Sequence, residues 1–262
     1  NIIVGFGGVH CTFDYEKILK NSLADVVFLN EADHNFPNYI RYLNGNTDEI
    51  DLQGLAFLDD NGKIIKIPYG NFPDFEQLPM PAWDLIPTKE YYKLSQVCGL
   101  KNVIDEPAPT AILHTERGCI ARCTFCTVRN FNGLGGRGRS PETVLKEIDI
   151  LYHEYGIRYL EVIDDDFSYD IVRANAICRG LIDRNYDLIW SLDNGIRLMT
   201  ITEEFAENLY KSGCRLFSVG VESGNKDILH RIKKPLTLPG LYKKMEMLRQ
   251  FPELYVKGNF IL

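Results

Sequence analysis

The sequence predicts an α/β chain built in two parts, and three observations carry that prediction. From Ala111 onward, short apolar runs alternate with stretches whose apolar residues recur at helical spacing. Residues 1–67 show the same alternation on a smaller scale. Between them, residues 68–110 hold seven of the chain's 12 prolines (68, 73, 79, 81, 87, 107 and 109) and no long periodic stretch. Proline withholds a backbone donor and disfavours helix in the residue before it, so 68–110 reads as a linker. Its aromatic residues Phe72, Phe75, Trp83, Tyr91 and Tyr92 predict that it packs onto a domain surface.

In the first part, Ile2 to Val4 and Val26 to Leu29 are continuous apolar runs, as in strands buried on both faces. Tyr15 to Ser22 and Phe36 to Leu43 predict short helices. Leu55 to Ile67 predicts a hairpin turning at Asp59-Asp60-Asn61-Gly62. The second part, 111–262, opens with a strand over Ala111 to His114. Ser140-Pro141-Glu142 then starts a helix with a capping serine and proline at its first position. Val144, Leu145, Ile148, Leu151, Tyr152 and Tyr155 form its apolar face, and Gly156 ends it. Tyr159 to Ile163 is a strand, Ala174, Ile177, Cys178, Leu181 and Ile182 stripe the next helix, and Leu188 to Leu192 is the third strand. A helix over Thr200 to Ser212 has Thr200 and Glu203 at capping-box spacing and Gly213 as its stop. Arg215 to Val221, a helix over Leu238 to Gln250, and Leu254 to Leu262 complete the series. Repeats of this length imply a parallel sheet with right-handed crossovers, closed or open, whose chemistry gathers at the carboxyl ends of its strands.

Hydrophobic residues make up 45% and charged residues 25%, the balance of a globular chain with a real core. The net charge of −7 and the lack of a basic stripe argue against a nucleic-acid partner. The glycine-rich basic stretch Arg129 to Arg139 reads as a solvated loop. No run approaches the roughly 20 apolar residues of a membrane span, and no charged start followed by an apolar core marks a secretory signal, so a cytoplasmic location is expected. Both ends fall inside apolar runs, which suggests a portion of a longer polypeptide truncated at its C-terminus.

Of seven cysteines, three crowd together while Cys11, Cys98, Cys178 and Cys214 are scattered, a pattern of one metal site rather than a disulfide framework. Cys178 and Cys214 stand in apolar-periodic contexts as small core residues. Cys119-x3-Cys123-x2-Cys126 follows directly on a strand, and three soft thiolates at this spacing can converge on neighbouring irons. No fourth cysteine is near in sequence, which leaves one iron open. Zinc is the competing reading, with His114 as a fourth ligand, although zinc sites usually bring two ligand pairs and no second pair exists here.

Residues Glu116-Arg117-Gly118-Cys119 through Phe125-Cys126 resemble the signature of the radical S-adenosylmethionine (SAM) enzymes. Further motifs agree in order: Ile163-Asp164-Asp165-Asp166-Phe167, Asn194-Gly195-Ile196-Arg197, Gly220-Val221-Glu222-Ser223-Gly224 with Leu229, Ile232 and Lys234, and Lys257-Gly258-Asn259-Phe260-Ile261-Leu262. The resemblance implies a 4Fe–4S cluster on Cys119, Cys123 and Cys126, with SAM chelated at the open iron and Phe125 near its adenine. Asp164 and Asp165 are expected at the SAM ammonium or the substrate. The competing reading of the acidic run is a solvated turn in which Asp166 or Ser168 caps the next helix. Arg197 is expected to grip the SAM carboxylate, against an ordinary salt bridge. Glu222, with Ser223 beside it, is expected to bond the ribose or the methionine amine, against an internal ion pair with Arg117. His153 reads as solvated, and Met245 and Met247 as packing.

In the first part, Gly7-Gly8-Val9-His10, Ala24-Asp25-Val26-Val27, Asn30-Glu31-Ala32-Asp33 and Leu78-Pro79-Met80-Pro81-Ala82-Trp83-Asp84-Leu85 resemble the second half of the cobalamin-binding domain of the cobalamin-associated radical SAM class. Leu29-Asn30-Glu31-Ala32-Asp33 departs from that class's usual Gly-Glu-Gly-Glu run. The resemblance implies a partial (β/α) TIM-like radical SAM barrel preceded by a partial Rossmann-like domain, with Gly7 and Gly8 beside cobalamin. The expected activity is cobalamin-dependent methylation of an unactivated carbon on a small-molecule or peptide substrate, driven by a 5′-deoxyadenosyl radical. An electron donor such as flavodoxin or ferredoxin is the expected partner. The alternatives are a cobalamin-independent radical cyclisation, rearrangement or oxidation, and a zinc-binding interaction module. A methylthiotransferase is disfavoured, because the first part carries only Cys11 instead of a cysteine triad.

Overall fold

The computed structural model describes residues 2–46, 53–93 and 109–261. Cys98, Pro107 and the end of the proline-rich segment lie outside the described residues. The chain divides into two compact units: residues 1–78 with 127–134, and residues 79–126 with 135–262. Among the described residues, no helix is long and apolar enough to cross a membrane.

The first unit runs β1 (Gly5–Gly7), α1 (Val9–Asn21), β2 (Val26–Phe28), α2 (Asn35–Leu43), β3 (Leu55–Leu58) and β4 (Ile64–Ile67). Its sheet has the order β1-β2-β3-β4, parallel between the first two strands and antiparallel beyond. Val27 and Ala56 face a cluster with Cys11 and Leu19 of α1, whereas Val26, Phe28 and Leu55 face Tyr39 of α2. Strand alternation thus buries both faces of β2, each under one helix. The hairpin turns as expected, with Asp59 accepting from the amides of Asn61 and Lys63.

Two expectations shift here. The first strand is not Ile2 to Val4 but Gly5–Gly7, and Ile2 and Ile3 are exposed. Val4 is instead held by the Asp25 carboxylate and by the amides of Asp25 and Val26, just before the parallel register begins at Gly5. A side chain at Gly5 would press on the Phe28 ring at 2.9 Å, so this strand needs glycine where apolar periodicity looks for bulk. The helix expected from Tyr15 is the second segment of α1, which kinks at Asp14 (φ −110, ψ 21); a further segment precedes it from Val9, where Gly8 at φ 94 turns the chain straight out of β1.

The second unit starts in the proline-rich segment. Trp83 packs against the unit's core and donates its indole N–H to Glu147 at 2.9 Å, so the segment does wrap a domain surface there. After α3 (Thr88–Lys93) and β5 (Thr110–Leu113), the two-residue β6 (Glu116–Arg117) pairs antiparallel with β7 (Arg137–Gly138). Between these strands lies α4 (Val128–Phe131), which belongs to the first unit. The stretch Arg129 to Arg139 is therefore no solvated loop. It carries α4 and β7, and it ends in Arg139, which is buried and ion-paired with Glu147 at 2.5 Å.

The series continues with α5 (Pro141–His153), β8 (Tyr159–Val162), α6 (Ile171–Arg184), β9 (Ile189–Leu192), α7 (Glu203–Lys211), β10 (Cys214–Glu222), α8 (Lys226–Arg231), α9 (Leu238–Leu248) and β11 (Tyr255–Phe260). Ser140 caps α5, with Pro141 opening the helix as expected. Thr202, not Thr200, caps α7, because Thr200 is drawn into a short 3₁₀ turn over Leu198–Thr200. The five strands form one all-parallel sheet in the order β11-β10-β9-β8-β5. That order never reverses, so the crossovers lay their helices on one face. One continuous core results, with Leu113, Leu160, Val162, Trp190, Leu192, Phe217 and Val219 facing Ile148, Leu151, Ile177, Phe205 and Leu209. Cys178 and Cys214 are fully buried in it.

Candidate functional site

The site grows from the carboxyl end of β5. Thr115 and Glu116 leave that strand and are caught by Asp164, at the end of β8. Its carboxylate accepts from the Thr115 amide at 2.6 Å, the Glu116 amide at 2.9 Å and the Thr115 hydroxyl. Burial pushes Asp164 up to about 6, with the Thr115 bonds working against it. Asp165 takes the next step, accepting from the Gly118 amide at 2.7 Å. Gly118, at φ 95, then turns the chain into Cys119. The first two carboxylates of the acidic run thus hold the backbone that launches the cysteine loop.

Asp166 does not cap α6, and neither does Ser168. The cap is Asp170, in an extended conformation, accepting from Val172 and Arg173. Asp166 instead accepts from the Ser168 hydroxyl and from Arg197 Nε at 2.5 Å. Arg197 therefore meets a buried carboxylate at the ends of β8 and β9. Glu116 is fully buried beside this group, its Oε2 accepting from the Asp166 amide at 3.0 Å. Burial, reinforced by Asp164, drives Glu116 up to about 9.

Cys119 and Cys123 are partly buried and Cys126 is exposed, and none of the three is in a disulfide. Burial raises the Cys119 thiol to about 11 and lifts Cys123 as well. Phe125 lies on the surface of the loop, which is anchored where the Thr124 amide donates to Ile232 at 3.0 Å. Among the described residues, no three His, Cys, Asp or Glu side chains are gathered closely enough to hold a metal ion, so the three sulfurs share a loop without converging on a point. The donor set is of the kind an iron–sulfur cluster takes, three free soft thiols on one loop.

Across the sheet, Glu222 ends β10 with its carboxylate 3.0 Å from Lys234 Nζ, so its ion-pair partner is Lys234 and not Arg117. Ser223 follows, its hydroxyl accepting from the Asn225 amide. In the first unit, Gly7 ends β1 and Gly8 precedes α1, at the carboxyl end of a parallel strand. Glu116 and Lys234 complete an arrangement that periodicity does not reveal, since neither lies in a patterned strand or helix face.

Residues 114–255 match the family model of the radical SAM superfamily. The chain belongs to the radical SAM superfamily. Among its relatives, an uncharacterized methyltransferase of Pyrococcus horikoshii is 28% identical over 264 residues, covering 100% of this chain and 54% of its own length. Cytidylyl-2-hydroxyethylphosphonate methyltransferase of Streptomyces wedmorensis is 27% identical, covering 99% of this chain and 52% of its own. The chain therefore spans about half the length of these curated relatives. The solved structure of the cobalamin-dependent S-adenosylmethionine radical enzyme OxsB, with aqua-cobalamin bound, aligns with a TM-score of 0.80 at 20% identity, covering 99% of this chain and 36% of that one. That likeness shows the radical SAM fold.

Proposed function

We propose that the chain is the cofactor-binding portion of a cytoplasmic radical SAM methyltransferase. In this reading Cys119, Cys123 and Cys126 hold a 4Fe–4S cluster, and the first unit binds cobalamin near Gly7 and Gly8. When bound, these groups supply reductive cleavage of SAM to a 5′-deoxyadenosyl radical and a methyl group for an unactivated substrate carbon. The observation that carries the reading is the set of three free cysteines on the loop that leaves the first strand of a sequential parallel sheet. The methyltransferase names of the relatives and the cobalamin of OxsB support it.

The chain's own residues orient the cofactors. Asp164 and Asp165 fix the entry of the cysteine loop through backbone amides. Phe125 offers an exposed ring to the adenine. Arg197, Glu222 and Ser223 offer charge and hydrogen bonds to SAM, with Asp166 and Lys234 holding the two charged side chains in place. Anaerobic reconstitution should give a brown protein with about four irons and four sulfides per chain. Cys119→Ala, Cys123→Ala and Cys126→Ala should each abolish the cluster, and stoichiometric zinc without sulfide would refute it. A flavodoxin or ferredoxin should supply the electron. Retention of hydroxocobalamin after removal of free ligand tests the second cofactor by its visible band.

A further inference from the structure

The sheet face opposite the apolar core carries a second group of side chains. Leu160 and Val162 of β8 enter the core, so Glu161 turns to the other face. By the same alternation Ser191 of β9 and Ser218 of β10 turn there too, between Trp190 and Leu192 and between Phe217 and Val219. Register places Glu161 beside Ser191 and Ser218 beside Lys257. Asp193, two residues beyond Ser191, accepts from its hydroxyl at 3.5 Å and lies 3.8 Å from Lys257 Nζ.

This group is buried but not satisfied. Glu161 is 5% exposed and Ser218 0%. Among the described residues, Glu161 Oε2, Asp193 Oδ1 and Ser218 Oγ have no hydrogen-bond partner. Burial first, and the Asp193 charge second, push Glu161 up to about 7, against the pull of Lys257. Buried acceptors without donors cost stability, and folded proteins rarely keep three together on one surface without a use for them.

We propose that Glu161, Asp193 and Ser218 form a binding site for a primary ammonium group. Such a group brings three N–H donors to three acceptor oxygens, of which Asp193 Oδ1 has the 3.8 Å ion pair with Lys257 and no hydrogen bond among the described residues. Its single positive charge also offsets the one negative charge in excess when Glu161 and Asp193 are ionised against Lys257. Two ligands present this chemistry: the methyl acceptor of the reaction proposed above, on which this part of the inference rests, and the α-ammonium of SAM itself. In the first case the substrate class is an amine.

The test is a calorimetric titration of the reconstituted protein with n-butylammonium chloride, with n-butanol and sodium butyrate as controls. Only the ammonium should saturate, and combining Glu161→Gln with Asp193→Asn should weaken its binding at least tenfold. Each single variant should weaken it less, so the proposal stays testable if the double variant folds poorly. Thermal melting gives a second readout. Glu161→Gln should raise Tm at pH 8, where it removes an unpartnered buried charge, whereas a purely structural carboxylate would give a lower Tm. SAM affinity in the same variants identifies the source: unchanged SAM binding assigns the ammonium to the substrate, and weakened SAM binding assigns it to SAM. Equal binding of butanol, or unaltered butylammonium affinity in the variants, overturns the proposal. The titration requires neither methyl transfer nor cobalamin, so the loss of either would count against the function and leave this site standing.

Discussion

Glu222 holds φ 64, a left-handed conformation that costs a residue with a side chain about 1–3 kcal/mol. The register of β10 against β11 shifts between Gly220 and Glu222, so the strand ends in an irregularity that carries the carboxylate. A side chain at Gly220 would fall 2.2 Å from Glu222 Oε1 and 2.3 Å from Lys234 Nζ, which explains the glycine. Strain, glycine and lysine together maintain one nearly buried ion pair. Lys234→Met leaves the carboxylate without its charged partner and should destabilise the protein by about 1–3 kcal/mol in urea unfolding. Adding Glu222→Gln should recover part of that loss. A double variant no better than the sum of the singles would show that the pair contributes nothing. At this scale the sequence singled out Asp164, Asp165, Arg197 and Glu222 by motif, yet it did not reveal their partners. Pairings such as Asp166 with Arg197 join the ends of different strands, and no local pattern encodes them.

The helices of the second unit are tied in pairs, and α5 with α6 is the clearest case. Asp149 of α5 takes a two-pronged contact from Arg184 of α6, Nε to Oδ1 at 2.6 Å and Nη2 to Oδ2 at 3.0 Å, and a third bond from the Tyr186 hydroxyl at 2.8 Å. The Arg184 bonds hold the Asp149 carboxyl below its ordinary value, with partial burial opposing them. A depressed carboxylate contributes stability that is fully present above its unfolded pKa, near 3.8, and is lost as pH falls through the lower folded value. Asp149→Asn should therefore lower Tm at pH 6, and the gap between variant and parent should close as the pH drops below about 4. A gap that stays constant with pH would mean that shape rather than charge holds the two helices. Elements of this length were legible in the sequence, because α5 and α6 show apolar stripes, and Ser140 and Pro141 mark a start. The misplaced elements were those governed by close approach instead of periodicity. Gly5–Gly7 is a strand with almost no side chains, and Thr202 outcompetes Thr200 as a cap only because a 3₁₀ turn precedes it.

At the scale of the whole chain, the segment 127–134 leaves the cysteine loop, enters the first unit, and returns to the second at Gly135. Nothing in the periodicity of a basic, glycine-rich stretch announces this excursion, since side chains far away in sequence hold it, Phe72 against Gly133 and Asn30 on the backbone of α4. Asn30, just after β2, stands at φ 58, and its side-chain amide donates to the carbonyls of Asn130 at 2.8 Å and Phe131 at 2.7 Å. Its own amide is taken by the Thr12 hydroxyl at 2.8 Å. Asn is well suited to both tasks, tolerating the left-handed region and carrying two donors. Asn30 thus has a structural use: it secures α4, whose first residue lies two positions beyond Cys126. Asn30→Gly keeps the backbone conformation and loses the two bonds, so it should cost about 1–3 kcal/mol. Asn30→Ala loses the same bonds and adds left-handed strain, so it should be worse by roughly 1 kcal/mol. Hydrogen exchange locates the effect. The Asn132 amide, bonded to Val128 at 2.7 Å, should lose protection in both variants while the amides of β8 and β9 keep theirs. Equal stability of the glycine and alanine variants, with Asn132 still protected, would mean that α4 is held by something other than Asn30.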